Sequence, residues 1–301
     1  MNNTYFGNVL KELRIKKKMS QEKLADGICT KRQLIRIEQN ENLPTGFLLS
    51  ELSKKLNENL EPFLVLAEHP NPIEVIQLKK DLNLYFYQKN LLKIVEVIQE
   101  FRITHPELPA DFNQYLGWYE LVCRAGLPSY EHPQLDCYLQ LLELTMDVSD
   151  LKQACTGFRT INEINILHSI ITTIFLNTGD YKQALNLLLP LKESYIQFYH
   201  EYDINILGRM YYNLANVYYR LEDHEEALNA CDQGIELCIR EGSFSIVADL
   251  YMCKAGILLE LNRFDEARPY AKYFVTIYEM QGKREYIEPI ISEFRSNGFD
   301  V

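Results

Sequence analysis

The chain has 301 residues, more than a single hydrophobic core usually organises, which indicates two domains or a small domain followed by an extended array. Hydrophobic residues make up 47% and charged residues 24% of the sequence, and no apolar run is long enough to cross a bilayer. The seven cysteines are scattered and form no CxxC pair, so they are expected to be reduced thiols. These features exclude a membrane-spanning or disulfide-stapled secreted protein and predict a cytoplasmic location.

The net charge of −11 conceals a division of charge along the chain. Residues 1–60 carry eleven Lys and Arg against seven Asp and Glu, whereas the remainder carries 20 against 35. Because phosphate contacts depend on Lys and Arg, only the N-terminal segment is suited to nucleic acid. Phosphate should repel the acidic remainder, which keeps nonspecific binding low and leaves recognition to the first 60 residues.

The first 60 residues predict four short helices that form a compact bundle. Apolar residues recur at helical spacing on the first helix (Leu10, Leu13, Ile15), the second (Leu24, Ile28), the third (Ile35, Ile37) and the fourth (Leu48, Leu49, Leu52, Leu56). Ser20 and Thr30 are suited to cap the second and third helices, and Pro44 with Gly46 interrupts the chain before the fourth. A further short helix is predicted over 59–69, where the Pro70-Asn71-Pro72 segment is expected to end it.

Three segments beyond residue 72 resemble one another and indicate helical repeats. They span 176–185, 221–228 and 261–268, and each contains a helix end, a tight turn and a small alanine. The alanines Ala184, Ala227 and Ala267 are 43 and 40 residues apart, which is typical of tetratricopeptide-like repeats whose helices are a turn or two longer than usual. Residues 89–94 and 133–144 fit more degenerate copies.

Residues 19–25 and 30–38 resemble the helix-turn-helix of the phage-repressor type. The second helix of that motif lies in the major groove, and its first turns reach base edges. At those positions the sequence has side chains that donate to base edges or phosphate, namely Thr30, Lys31, Arg32, Gln33 and Arg36, while Gln21 is expected to contact a backbone phosphate. A solvated polar helix face is the alternative interpretation. Arg14 and Glu38 fit a structural ion pair between the first and third helices.

The predicted fold is therefore all-α, with a phage-repressor type helix-turn-helix bundle followed by a right-handed superhelix of about five tetratricopeptide-like repeats. The predicted domains are a DNA-binding domain over 1–60, a linker helix over 61–71 and a repeat domain over 72–301. Stacked repeats of this kind offer a concave face that binds extended peptides or helices, and the repeat domain is expected to dimerise.

Segments 21–24 and 36–38, together with 112–118 and 211–215 in the repeats, resemble the PlcR-like regulators of the Rgg, NprR, PrgX and PlcR group. The resemblance spans nearly the whole chain. It implies a homodimeric transcription regulator that binds a palindromic operator in double-stranded DNA. It also implies gating by a short signalling peptide, of the kind used in quorum sensing, bound on the concave face of the repeats.

The resemblance also implies a partial peptide-binding site. Asn213 matches an asparagine that holds the peptide backbone, and Lys89 matches a basic residue suited to a carboxylate; an asparagine satisfied within the repeat is the alternative for Asn213. Asn216 lies on the same helix face as Asn213. Four positions depart from the family pattern: Ser169 stands for an asparagine, Asp249 for a glutamine, Tyr87 for a lysine and Leu64 for a tyrosine. A different peptide ligand is therefore expected.

Two other functions remain open. Cys231, Cys238 and Cys253 could form a thiol-based redox sensor, although buried cysteines that pack as small hydrophobes explain the same residues. A repeat scaffold that docks a protein partner on DNA is the second alternative. The sequence contains no phosphate-binding glycine loop, HExxH or Gly-x-Ser-x-Gly motif, and its histidines lack metal-ligand spacing. We therefore expect no enzymatic activity, no metal site and no cofactor.

Overall fold

The computed structural model describes residues 5–69, 71–199 and 203–282, together with residues 287, 288, 291 and 295. These residues form α-helices joined by turns and loops, with no β-strand among them, which confirms the predicted all-α fold. The chain divides into two compact units, residues 1–132 and 133–301. Among the described helices, none combines the length and the apolar character that a membrane span requires.

Five short helices form the N-terminal bundle, here called the head: α1 (Phe6–Lys16), α2 (Gln21–Ala25), α3 (Lys31–Glu38), α4 (Gly46–Leu56) and α5 (Glu61–Val65). Their apolar faces bury a common core that includes Phe6, Leu10, Leu24, Leu34, Ile37 and Leu52. The four predicted helices are confirmed, with differences in detail. Ile15 is 57% exposed, and Ile28 lies in the turn after α2. Leu34 replaces Ile35 as a buried residue of α3, because the helical period places Leu34 and Ile37 on one face.

Three longer helices complete the first unit: α6 (Pro72–Tyr87), α7 (Leu91–Thr104) and α8 (Ala110–Ala125). The helix predicted over 59–69 is shorter in the structure, because residues 66–69 form a turn. Pro72 is the first residue of α6, where its fixed φ and missing N–H are favourable. Pro70 lies outside the described residues. Since α6 packs against α1 and α5, the predicted linker lies inside the first compact unit.

The second unit begins with two short helices, α9 (Leu135–Leu142) and α10 (Leu151–Ala154), and continues with three regular helix pairs. The pairs are α11 (Ile161–Thr178) with α12 (Tyr181–Phe198), α13 (Ile204–Arg220) with α14 (His224–Arg240), and α15 (Phe244–Glu260) with α16 (Phe264–Met280). The alanines Ala184, Ala227 and Ala267 lie near the start of the second helix of each pair and are fully buried. Such fully buried small residues are expected where two helices pack closely. The predicted helical repeats are therefore confirmed.

The turn within each of these pairs contains one residue with a left-handed backbone, namely Gly179 (φ 68°), Glu222 (φ 63°) and Asn262 (φ 57°). That conformation ends the first helix. Asp180 then accepts from Gln183 N at 2.9 Å, and Asp223 accepts from Glu226 N at 3.3 Å, so that each aspartate caps the next helix. The third pair has Arg263 at the capping position and no side-chain cap, so the left-handed residue is the feature that all three turns share.

Candidate DNA-binding and ligand-binding residues

The helix-turn-helix consists of α2, a short turn and α3. Ser20 Oγ accepts from Lys23 N at 3.1 Å, and Thr30 Oγ1 accepts from Gln33 N at 3.2 Å, which confirms both predicted caps. Gly27 provides a left-handed residue in the turn, with a φ of 73°. These local contacts determine where α3 begins, and therefore which side chains occupy its first turn.

Helix α3 has one buried and one exposed face. Leu34, Ile37 and Glu38 are buried in the head. The side chains predicted to contact DNA from this helix are all exposed: Lys31, Arg32, Gln33 and Arg36. Major-groove recognition needs such a row of donors on a helix whose opposite face is anchored in a core.

The exposed donors of α3 differ in their partners. Two form ion pairs within the head: Lys31 with Glu22, and Arg36 with Glu41 (Nε to Oε2, 3.6 Å). The side chains of Arg32 and Gln33 form no hydrogen bond or ion pair with any residue that the structure describes. Arg32 and Gln33 can therefore reach base edges without breaking a contact, whereas Lys31 and Arg36 would exchange a carboxylate for a phosphate.

A buried ion pair joins α1 to α3. Arg14 Nε lies 2.5 Å from Glu38 Oε1, and Arg14 Nη2 lies 3.0 Å from Glu38 Oε2, so the pair is bidentate. The side chains are 10% and 2% exposed, and the hydrogen bond to Glu38 raises the pKa of Arg14. Arg14 Nη1 also donates to Met19 O at 2.9 Å, which links the pair to the segment between α1 and α2. The structure thus brings together the two residues that the sequence pairs.

Gln21 contributes to the same network. Its Nε2 donates to Glu38 Oε2 at 2.8 Å, and its side chain is half-buried. The amide therefore positions α2 against α3, a role that the sequence did not indicate. Because an amide nitrogen carries two hydrogens, the second can still donate to the phosphate predicted as its partner.

Polar side chains of α11 and α13 meet in the second unit and form what we call the amide row: His168, Thr172, Arg209 and Asn213. Asn213 is 6% exposed, and its Nδ2 lies 2.9 Å from Thr172 Oγ1 and 3.0 Å from His168 Nε2. Both hydrogens of the amide are therefore used. Asn213 Oδ1 has no hydrogen-bond partner among the described residues, so this oxygen can accept an N–H from a ligand.

The protonation of His168 fixes the direction of these hydrogen bonds. Burial, together with the nearby Arg209 cation, lowers the pKa of His168 to about 3, so its imidazole is neutral at physiological pH. Because Asn213 Nδ2 can only donate, His168 Nε2 accepts and the ring proton lies on Nδ1. Arg209 Nη2 donates to Asn165 Oδ1 at 3.2 Å, which links α11 and α13 a second time, about one turn before the contacts of Asn213.

The other predicted ligand contacts in the second unit are half-buried and engaged within the fold. Their hydrogen bonds are Ser169 Oγ to Asn165 O (2.9 Å), Asn216 Nδ2 to Tyr212 O (2.8 Å) and Tyr278 OH to Asp249 Oδ1 (2.6 Å). In the first unit, Lys89 is exposed in the turn between α6 and α7, with a φ of 55°. Tyr87 is the last residue of α6, and its side chain lies outside the described residues.

Three members of the amide row, His168, Thr172 and Arg209, were not predicted from the sequence. A signal for them exists. Polar residues at 165, 168, 169 and 172 recur at spacings of three and four along α11, so they share one face of that helix. A polar stripe on such a helix predicts a buried polar contact with the neighbouring helix.

The cysteines considered as a redox sensor lie inside the repeats. Cys231 and Cys238 are buried, and Cys253 is half-buried. Burial raises the pKa of Cys238 to about 11, and a hydrogen bond with Cys253 together with burial raises the pKa of Cys231. Since the thiolate is the reactive form, the surroundings of Cys231 and Cys238 disfavour a rapid reaction that begins at either of these two sulfurs. No cluster of three His, Cys, Asp or Glu in the described part of the chain could hold a metal ion.

A capped bundle with an exposed donor row, joined to helical repeats, defines a helix-turn-helix DNA-binding regulator with a repeat domain. A helix-turn-helix family model matches residues 10–63, and the model of the RNPP family C-terminal domain matches residues 79–297. The chain therefore belongs to the RNPP family. This family and its solved structures are DNA-binding regulators rather than enzymes.

Solved structures of three regulators share this fold. Bacillus thuringiensis PlcR in complex with the peptide PapR7 and DNA is 21% identical, with a TM-score of 0.77 over 97% of this chain and 99% of PlcR. ComR from S. thermophilus, in complex with DNA and its signalling peptide ComS, is 18% identical, with a TM-score of 0.64 over 98% and 100%. The Streptococcus dysgalactiae pheromone receptor Rgg2 is 16% identical, with a TM-score of 0.59 over 97% and 99%. A comparison with curated proteins gives no match.

Proposed function

We propose that this protein is a sequence-specific transcription regulator that binds double-stranded DNA through α3 and is gated by a short signalling peptide in the repeat domain. The observation that carries DNA binding is the exposed donor row, in which Arg32 and Gln33 have no side-chain partner among the described residues. An arginine donates to guanine O6 and N7, and a glutamine pairs with adenine N6 and N7. These two side chains are therefore suited to reading base edges.

The charge distribution supports the same role. The first 60 residues carry a positive net charge on a chain whose overall charge is −11. Contacts of Lys31, Arg36, Thr30 and Gln21 with phosphates would position the head without reading sequence. A single head reads only a short site, so we infer a homodimer whose two heads occupy the half-sites of a palindromic operator. We place the protein in the cytoplasm with its operator.

The amide row supports peptide gating. Contacts to Thr172 and His168 hold the Asn213 amide in one orientation and leave Oδ1 to accept a peptide N–H. The solved PlcR and ComR complexes each contain a peptide together with DNA. In the second unit we assign further peptide contacts to Ser169, Asn216 and Asp249. Lys89 and Tyr87 of the first unit are candidate contacts from the family resemblance alone. A ligand that binds one arrangement of the heads better than another would shift the population toward it.

Selection from a random duplex library tests the DNA-binding part. We expect enrichment of a palindrome whose half-sites lie about one helical turn or a multiple of it apart, roughly 10 base pairs centre to centre. Arg32→Ala and Gln33→Ala should lose the enrichment. Lys272→Ala, which removes an exposed lysine of α16, is the matched control and should retain it. A wild-type selection without an enriched sequence would contradict the proposal.

Calorimetry with a library of short synthetic peptides tests the gating part. A peptide that binds the wild type should bind Asn213→Ala on the order of tenfold more weakly, because one buried hydrogen bond is lost. Asn177→Ala, which changes an exposed asparagine near the end of α11, should bind normally. Equal affinities would remove Asn213 from the site. Failure of every peptide to bind would favour a scaffold that docks a protein partner.

A further inference from the structure

Helices α14 and α15 are joined by a three-residue turn, so they run antiparallel, and they approach closely at Gly234. A Cβ at Gly234 would lie 2.9 Å from Leu250 Cδ1 and 2.9 Å from Tyr211 Cβ, so only glycine fits without a shift of its neighbours. Gly234 therefore faces Leu250. Cys231 lies one turn before Gly234, and Cys253 lies one turn after Leu250. In an antiparallel pair, these two positions face each other again.

Two observations agree with this register. The neighbouring Cys253 thiol is the main cause that raises the pKa of Cys231, as expected for two side chains that face each other. The next residue on each helix is also paired, since Lys254 Nζ contacts Asp232 Oδ1. Cys231 is buried, whereas Cys253 is half-buried. The fold therefore places two thiols at facing positions of α14 and α15, and Cys253 is the partly exposed one.

We propose that Cys231 and Cys253 form an oxidative modification site, at which a peroxide converts the two thiols into a disulfide that joins α14 to α15. Cys253 Sγ attacks a peroxide oxygen, so that an S–O bond forms, the O–O bond breaks and one water leaves. Cys231 Sγ then attacks the sulfur of the Cys253 sulfenic acid; the S–S bond forms, the S–O bond breaks and a second water leaves. Two thiols are oxidised while one peroxide is reduced to two waters.

The pair differs from the other cysteines near it. Cys238, two turns further along α14, faces Gly208 of α13, where an added Cβ would lie 3.3 Å from its sulfur. Cys137 is exposed and lies on α9. Because the pKa of Cys231 is raised, little of its thiolate is present, and the second step relies on the facing positions of the two residues. The link would also tie Asp249, one turn before Cys253, to the position of α14.

Peroxide treatment of the purified full-length chain tests this site. After incubation with excess hydrogen peroxide, peptide mass spectrometry without reduction should show one intrachain link between the peptides that contain Cys231 and Cys253. Cys231→Ser and Cys253→Ser should each abolish the link. Cys238→Ser, a matched buried cysteine of the same helix, should retain it. Circular dichroism before treatment shows which variants are folded, and Cys231→Ala replaces the serine variant if a buried hydroxyl unfolds it.

The oxidation products distinguish a Cys231–Cys253 disulfide from other cysteine chemistry. The link in wild type and Cys238→Ser, with recovery of both thiols by dithiothreitol, supports the site. The proposal is overturned if peroxide oxidises Cys137 and leaves Cys231 and Cys253 as thiols. It is also overturned if oxidation of Cys253 proceeds to sulfinic acid without a link, or if the disulfide joins a different pair.

Discussion

The donor row of α3 and the amide row of α11 and α13 hold polar side chains in opposite settings. The side chains of Arg32 and Gln33 are exposed and have no polar partner among the described residues. Asn213 is 6% exposed, and both hydrogens of its amide are bonded. An exposed donor exchanges water for a ligand at little cost, while a buried group must be held in place and satisfied. The head is therefore suited to a large polyanion that supplies many contacts, and the amide row presents one oriented acceptor to a small ligand.

The largest effect is expected from the ion pair that anchors α3. Glu38→Ala leaves the Arg14 guanidinium buried without its carboxylate, which should lower the free energy of unfolding by about 3–5 kcal/mol. Glu41→Ala breaks the exposed ion pair with Arg36 and should lower the free energy of unfolding by only about 0–1 kcal/mol. Urea denaturation of both variants and the wild type measures these two changes in the free energy of unfolding. Equally small losses would show that the exposed face of α3 does not depend on this anchor.

The exposed face itself is tested by the double variant Arg32→Ala with Gln33→Ala. Each bidentate base contact contributes about 1–3 kcal/mol of discrimination, so affinity for a selected operator should fall on the order of a hundredfold or more. Thermal unfolding should be nearly unchanged, because both side chains are exposed and neither forms a hydrogen bond or ion pair with a described residue. Fluorescence anisotropy with labelled operator measures the loss. Unchanged operator affinity would mean that α3 does not read bases.

The buried setting of the amide row predicts a pH dependence. The pKa of His168 falls from 6.5 to about 3 in the fold, so below pH 6.5 the unfolded chain binds a proton that the folded chain does not. The free energy of unfolding should therefore decrease as the pH falls from about 6.5 to 3. This residue contributes a slope of up to about 1.4 kcal/mol per pH unit. His168→Gln should remove that part of the slope, and His132→Gln, at an exposed position, should not.

Nuclear magnetic resonance titration of the His168 ring checks the cause directly. A ring that stays neutral down to about pH 4 agrees with burial in the row. A midpoint near 6.5 would show that the amide row is open to water. The amide row and the donor row of α3 would then not differ in solvent exposure.

The smallest effect is expected at Lys31, which already has a partner. Lys31→Ala should weaken binding to all duplexes alike and reduce the slope of log affinity against log salt by about 1, because one phosphate contact is lost. Lys272→Ala serves as the control for general charge. A loss of affinity for the operator alone, with other duplexes bound as before, would instead show that Lys31 reads bases as Arg32 is proposed to do.

Local chemistry made much of the fold predictable from the sequence. Ser20 and Thr30 each cap an N–H three residues away, so the starts of α2 and α3 follow from a few neighbouring residues. The buried Ala184, Ala227 and Ala267 similarly follow from a turn and a small residue repeated along the chain. The exposed face of α3 follows from the same local period.

Contacts between helices could not be predicted in this way. Gln21 donates to Glu38, 17 residues away, although its sequence context indicates only a phosphate contact. Asn213 donates to Thr172, 41 residues away on a different helix pair. Partners of this kind depend on how helices pack, and the periodicity of one helix does not contain that information. Family resemblance could therefore suggest Asn213 as a candidate ligand contact, but it could not give the orientation of its amide.

The central claim is that α3 reads DNA sequence, and competition between duplexes tests it most directly. At physiological salt, wild-type protein should prefer the selected palindrome over a scrambled duplex of the same composition by about a thousandfold or more. Equal and weak affinity for both duplexes would contradict the account.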